Sequence, residues 1–272
     1  MSRLSKELLQ KPGSRLGRVS RVLQLSGVPW LARWELLYLG IGKRLLPSKE
    51  YQLHLGGGRL YFGAESLIAD QRAFDEIFVE TCYPADYRRA VVVDVGAHKG
   101  YYGAYALLNG ATAVLSYEPE RSNFSYLEAC ATSFRLHGLT WRTFHFAVGS
   151  RADQSELYVS NESWCHTLVA LPGLEQVSVQ TVGLTAMSTI LKEAKCLPAD
   201  RVVVKVDAEG SECDIVLGTP PAEWRVVDEM FVEVHTFAPC SAKEIVEHLQ
   251  TAGLMVEACL PGDILHLRGS KE

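Results

Sequence analysis

Asp94, Gly96, His98 and Gly100 stand in the run VVVDVGAHKGYYG, where a strand of valines enters a glycine turn and leaves as a helix. In doubly wound sheets such a turn lies at the carboxyl end of a strand, where ligands bind. A dinucleotide loop needs G-x-G-x-x-G, so that a pyrophosphate can rest on the helix N-terminus. Here His98 takes the middle glycine's place, with Lys99 beside it. Two bulky side chains leave little room for a pyrophosphate, and the turn suits a smaller amino-acid tail. Eighteen residues after Gly100, a second apolar strand ends in Ser116-Tyr-Glu118-Pro. A carboxylate there can accept both hydroxyls of a ribose, in a nicotinamide or a sulfonium cofactor alike. A third strand ends in Phe146-Ala147-Val148, where an adenine ring would be sandwiched; alone, that tripeptide reads as core.

A second group of residues could perform the reaction. VVVKVDAEG puts Lys205 and Asp207 on one face of a strand, and FVEVH does the same for Glu233 and His235. A charge inside an apolar strand is costly unless paired, so Lys205 is expected to pair with Glu233 or Asp207. Asp207 is placed to meet a cofactor ammonium, an acceptor hydroxyl or a metal. His235 has the intrinsic pKa of a general base, with Glu233 available to orient it. Glu209 either joins this set or faces the N-terminus of a helix starting near Ser211. Asp207, Glu209, Glu233 and His235 together resemble a hard-metal set for magnesium or manganese. Spacing alone assigns no metal to them. The stretch Asn161–Thr167, with His166, reads either as an acceptor contact or as a solvated loop.

These residues need a frame to hold them. From residue 91 the chain alternates strands (near 91–95, 113–118, 141–147, 202–207, 229–235) with helices (near 101–109, 122–136, 185–195, 211–217, 241–252). Continuous apolar strands imply a mostly parallel sheet covered on both faces, doubly wound by right-handed crossovers. Strands near 254–259 and 263–268, joined at Pro261-Gly-Asp263, form a closing hairpin and put an antiparallel strand at the sheet edge. Short strands at 156–159, 167–170 and 177–182 predict an inserted β flap near 150–184. Residues 51–90 read as a hairpin around Gly56–Gly58 and a helix over 67–79 that lead into the main domain, 91–272.

Residues 1–50 are different in kind. They carry ten Lys/Arg and three acids, whereas the whole chain of 272 residues has a formal net charge of -5. Overall acidity argues against broad nucleic-acid binding. Within 28–46, Trp30, Trp34, Leu37, Tyr38, Ile41 and Leu45 recur at helical spacing, interrupted by charges that make a poor membrane span. This stripe would pack on the main domain, associate with a second copy, or lie on an anionic membrane surface. The seven cysteines are widely spaced, with no C-x-x-C, which predicts neither a disulfide framework nor a zinc site and points to a cytoplasmic setting.

DVGAHKGYYG, YEPERSNF, FAVGS, VVVKVDAEGSECDIVLG and FVEVH, in that order, resemble the FkbM family of S-adenosylmethionine (SAM)-dependent methyltransferases. The resemblance runs from about residue 72 to 268. It implies a seven-stranded class I methyltransferase sheet with SAM over its first two strands. Asp94, Gly96, His98 and Gly100 would then surround the methionine tail, and Glu118 would take the ribose. It also implies O-methylation, for which a small molecule, sugar or lipid-linked glycan is the expected acceptor; by their strand-end positions, Asp207 or His235 would accept the proton. N-methylation would favour an Asn/Asp-Pro-Pro-Tyr clamp, which the chain lacks. An NAD oxidoreductase would need the missing glycine, and a non-catalytic scaffold would not need the intact acidic set.

Overall fold

A computed structural model describes residues 50–161, 163, 165–169 and 176–269. The basic segment with its 28–46 stripe lies outside the described residues, as do Glu162, Trp164 and Ala170. Among the described residues, seven strands form one sheet in the order β11-β12-β10-β9-β3-β4-β5. Its centre is β3 (Ala90–Val95) between β4 (Ala113–Tyr117) and β9 (Arg201–Val206), with β5 (Thr140–Phe144) and β10 (Glu229–Glu233) outside them. All of these pair in parallel. Every residue of β3 and β4 is buried, as expected for β-branched strands covered on both faces. Each buried valine contributes about 1.5–3 kcal/mol of apolar burial.

Helices α2 (Tyr101–Leu108) and α3 (Arg121–Arg135) pack on one face. The N-terminal hairpin β1 (Glu50–Leu55)/β2 (Gly58–Gly63) and α1 (Leu67–Phe74), which continues as a π-helical turn over Asp75–Val79, join them there. The other face is covered by α4 (Met187–Cys196), α5 (Glu212–Gly218), the short α6 (Pro221–Trp224) and α7 (Ala242–Thr251). Helix α7 starts at Ser241, which forms a reciprocal capping box with Glu244.

Two expectations need correction. The antiparallel strand is not at the edge: β12 (Ile264–Gly269) runs antiparallel between β10 and β11 (Leu254–Leu260), and β11 takes the edge. The hairpin returns inward because β12 supplies four consecutive buried residues, whereas β11 is largely exposed. The cysteines also depart from the sequence reading, because Cys213 and Cys240 form a disulfide across 27 residues of sequence. The start of α5 and the loop that leads from β10 into α7 bring them together, a proximity that no local spacing reveals.

The predicted flap is a separate sheet of β6 (Ala147–Gly149), β8 (Gln176–Ala186) and β7 (Asp153–Ser160), in the order β6-β8-β7. The expected strand at 167–170 is reduced to one bridge between Thr167 and Tyr158. No helix among the described residues is long and apolar enough to cross a membrane.

Candidate active site

The strand order reverses between β3 and β9, and a cavity of about 590 Å³ opens at their carboxyl ends. Gly96 makes this junction possible. Its φ is +72°, and a Cβ there would lie 1.7 Å from the Asp207 carbonyl oxygen. The turn after β3 therefore touches the end of β9 directly. Gly100 begins α2 at a φ of +89°, where a Cβ would press on Leu127 and Trp141 at 2.9 and 3.0 Å. Asp94 lies beneath the turn. It is fully buried, accepts a hydrogen bond from Ser116 Oγ at 3.1 Å, and sits 3.6 Å from Lys205 Nζ. Asp94 thus buttresses the glycine turn from below.

His98 reaches the cavity with a φ of +50°. Its backbone N–H donates to Glu118 Oε2 at 2.8 Å, and its Nε2 lies 3.2 Å from Ser163 Oγ on the flap. Burial, with the nearby Lys99 charge, holds its imidazole well below the usual pKa and hence neutral. Lys99 does not crowd the turn. It points away and bonds both carboxylate oxygens of Asp70 at 2.8 Å, in a buried pair that also ties Gly63 to the site. Only His98 fills the space a second glycine would leave.

Glu118 stands at the end of β4 on the cavity wall, with Oε1 accepting the Glu120 N–H at 2.9 Å. Burial raises its pKa to about 8, although both backbone hydrogen bonds favour the carboxylate. Ala147, with Phe146 and Val148, lines the neighbouring wall. The flap is latched over this side: Asn123 Nδ2 donates to the Ser163 carbonyl at 2.8 Å, and Gln180 Nε2 donates to Glu120 at 3.0 Å. His166 lines the cavity too, with its Nδ1 accepting from the Ser160 N–H at 3.2 Å.

Lys205, Asp207, Glu209, Glu233 and His235 line the same cavity from the ends of β9 and β10, across β3 from Glu118. Lys205 is buried and pairs with Asp207 at 3.2 Å and Asp94 at 3.6 Å, not with Glu233, and donates to the Gly96 carbonyl at 3.0 Å. Burial opposes its charge, but Asp207 and Asp94 outweigh that and raise its pKa. It pins the glycine turn to β9. Burial and then the Asp207 charge raise Glu209 to about 8 and Glu233 to about 7.

His235 is oriented by a residue the motif reading missed. Its Nδ1 lies 2.9 Å from Glu212 Oε1, and its Nε2 lies 3.3 Å from Glu209 Oε2. Glu233 does not orient it. Burial disfavours its charged form, but Glu212 and Glu209 outweigh this and raise it to about 9. The raised pKa makes the ring a donor to Glu212 more readily than a proton acceptor. Glu212 is fully buried and accepts the backbone N–H groups of Ala208 and Gly210 at 3.0 Å each. The left-handed residues Glu209 and Gly210 aim those groups at it. The E-G-S-E spacing was the available signal, since it sets a carboxylate at the first helical residue, facing the turn.

The profile of the methyltransferase FkbM domain matches residues 94–254. A search of curated proteins found no match. Among solved structures, the chain is similar to the methyltransferase FkbM from Methylobacillus flagellatus KT, at 12% identity over 93% of this chain and 59% of that one, with a TM-score of 0.45. It is also similar to a SAM-dependent methyltransferase from Agrobacterium tumefaciens, at 11% identity over 84% of this chain and 72% of that one, with a TM-score of 0.40. Magnesium protoporphyrin IX methyltransferase from Synechocystis PCC 6803, solved with bound SAM, shows 11% identity over 75% of this chain and 81% of that one, with a TM-score of 0.38. With the profile covering more than half its length, the chain belongs to the FkbM family of SAM-dependent methyltransferases.

Proposed function

We propose that the protein transfers the methyl group of SAM to a hydroxyl of a small-molecule, sugar or lipid-linked glycan acceptor. One observation carries this reading: Glu118, after β4, and the Asp207–Glu209–Glu233 carboxylates, after β9 and β10, line one cavity from either side of β3. Glu118 accepts the ribose hydroxyls, while Gly96 and His98 border the methionine end and Ala147 the adenine. The acceptor oxygen attacks the methyl carbon in line, and the carbon–sulfur pair passes to sulfur, leaving the neutral thioether. The hydroxyl proton goes to a carboxylate of the acidic wall. Alignment supplies much of the rate, because the sulfonium is already a good leaving group. The latched flap excludes water from the cofactor side.

Hydrogen bonds to a charged group are worth about 1.5–3 kcal/mol, so Glu118→Ala should weaken SAM binding roughly 10- to 100-fold. Isothermal calorimetry on the folded variant measures this, and unchanged affinity would remove Glu118 from the cofactor site. Transfer of a labelled methyl group into cell extract, with mass-spectrometric assignment of the product atom, identifies the acceptor. A labelled nitrogen would replace the O-methyl reading.

A further inference from the structure

The acidic wall contains more than a proton acceptor requires. Asp207, Glu233 and His235 each present a ligand atom within 4.8 Å of the other two. They come from the ends of adjacent parallel strands, and all three line the cavity. Around a magnesium ion at about 2.1 Å, ligand atoms lie about 3 Å apart when adjacent and about 4.2 Å apart when opposite, so small rotamer shifts close this set.

The imidazole distinguishes the group from a solvated acidic patch. A metal-binding histidine characteristically gives its second nitrogen to a carboxylate that fixes the ring and its tautomer. Here Glu212 holds Nδ1 at 2.9 Å and leaves Nε2 facing Glu209 Oε2 and the cavity. Glu212 is itself fully buried and anchored by two backbone N–H groups. The Cys213–Cys240 disulfide ties the start of α5, which carries Glu212, to the loop that carries His235. Such rigid support exceeds what an exposed charge cluster needs. Five carboxylates (Asp94, Asp207, Glu209, Glu212 and Glu233) converge on one lysine and one imidazole. Lys205 takes one oxygen of Asp207 and leaves the other for a ligand bond.

We propose that Asp207, Glu233 and His235 bind one divalent cation of the magnesium–manganese class, with Glu212 positioning His235. Binding replaces the Nε2 proton of His235, which leaves to solvent. The ion's open positions take the acceptor hydroxyl, and a neighbouring oxygen where the acceptor is a vicinal diol. The ion lowers the hydroxyl pKa, and the released proton leaves to solvent as the oxygen attacks the methyl carbon. This role rests on the methyl-transfer reading; the site itself does not.

Manganese is the probe, because its free form is counted directly by electron paramagnetic resonance. The chelator-treated full chain should bind one manganese ion. His235→Gln and Glu233→Gln should each weaken that binding at least tenfold, and Glu212→Gln by roughly 10- to 100-fold. Glu76→Gln changes a carboxylate that lines the same cavity but lies outside the set, and should stay within about twofold of wild type. A thermal melting curve on each variant reports folding independently, and SAM calorimetry reports the cofactor site. Absence of a stoichiometric ion in the wild type overturns the site, as does equal weakening by Glu76→Gln. Manganese binding without SAM binding would sink the methyl-transfer reading and leave the metal site standing.

Discussion

At the scale of single residues, the site depends on contacts that allow almost no substitution. Gly96 is the sharpest case, because its missing Cβ is what lets the Asp207 carbonyl cross the turn. Gly96→Ala would have to move β9 away from β3 while holding a left-handed backbone, which costs about 1–3 kcal/mol in strain before any clash. The variant should melt several degrees below wild type and bind SAM at least tenfold more weakly; a melting curve and affinity both within error of wild type would show that the turn relaxes freely. Gly96 and Glu118 were legible in the sequence because fixed spacing after a strand determines where they stand. Glu212 was not. Its reach to His235 depends on the positive φ values of Glu209 and Gly210, and residue types do not encode that path. Lys99 misled for the same reason: its direction is set by Asp70, a buried partner 29 residues upstream.

Among elements, the flap is the least integrated. Its core is small, with Ala147, Leu157 and Val182 buried together, and Leu157 also lines the cavity. A satellite cluster of this kind opens separately from the main sheet. Leu157→Ala should remove about 2–5 kcal/mol from the flap alone. Limited proteolysis should then cut within residues 150–184 faster, while the global melting temperature changes by no more than about 2 °C. A fall in the global melting temperature matching the faster cleavage would make the flap part of the main cooperative unit. The parallel strands and their helices were readable from continuous apolar runs, since those runs must be covered on both faces. The place of β12 was not, because a hairpin pattern predicts pairing between its arms without saying which arm meets the sheet.

At the scale of the whole molecule, the cavity concentrates like charge, and its pH response follows. Burial first, then neighbouring carboxylates, raise Glu118 and Glu209 to about 8 and Glu233 to about 7, above the ordinary 4.5. Over that interval the folded chain holds protons that the unfolded chain has released, so stability falls as pH rises. His235 has the same sign for the opposite reason. Burial disfavours its charge, but Glu212 and Glu209 outweigh it and lift it from 6.5 to about 9. Its contribution is complete below the lower value and is lost as pH climbs through the higher one. Residues with depressed acid pKa values, such as Glu229, act at lower pH and do not oppose this trend. The chelated, cofactor-free protein should therefore lose several degrees of melting temperature between about pH 6 and pH 9. SAM carries a sulfonium and an ammonium, which ionised carboxylates favour, so its stabilising shift should grow over the same range. Differential scanning calorimetry with and without SAM measures both slopes. A melting temperature that rises toward pH 9 would mean that the buried carboxylates are already ionised at neutral pH, each balanced by a partner.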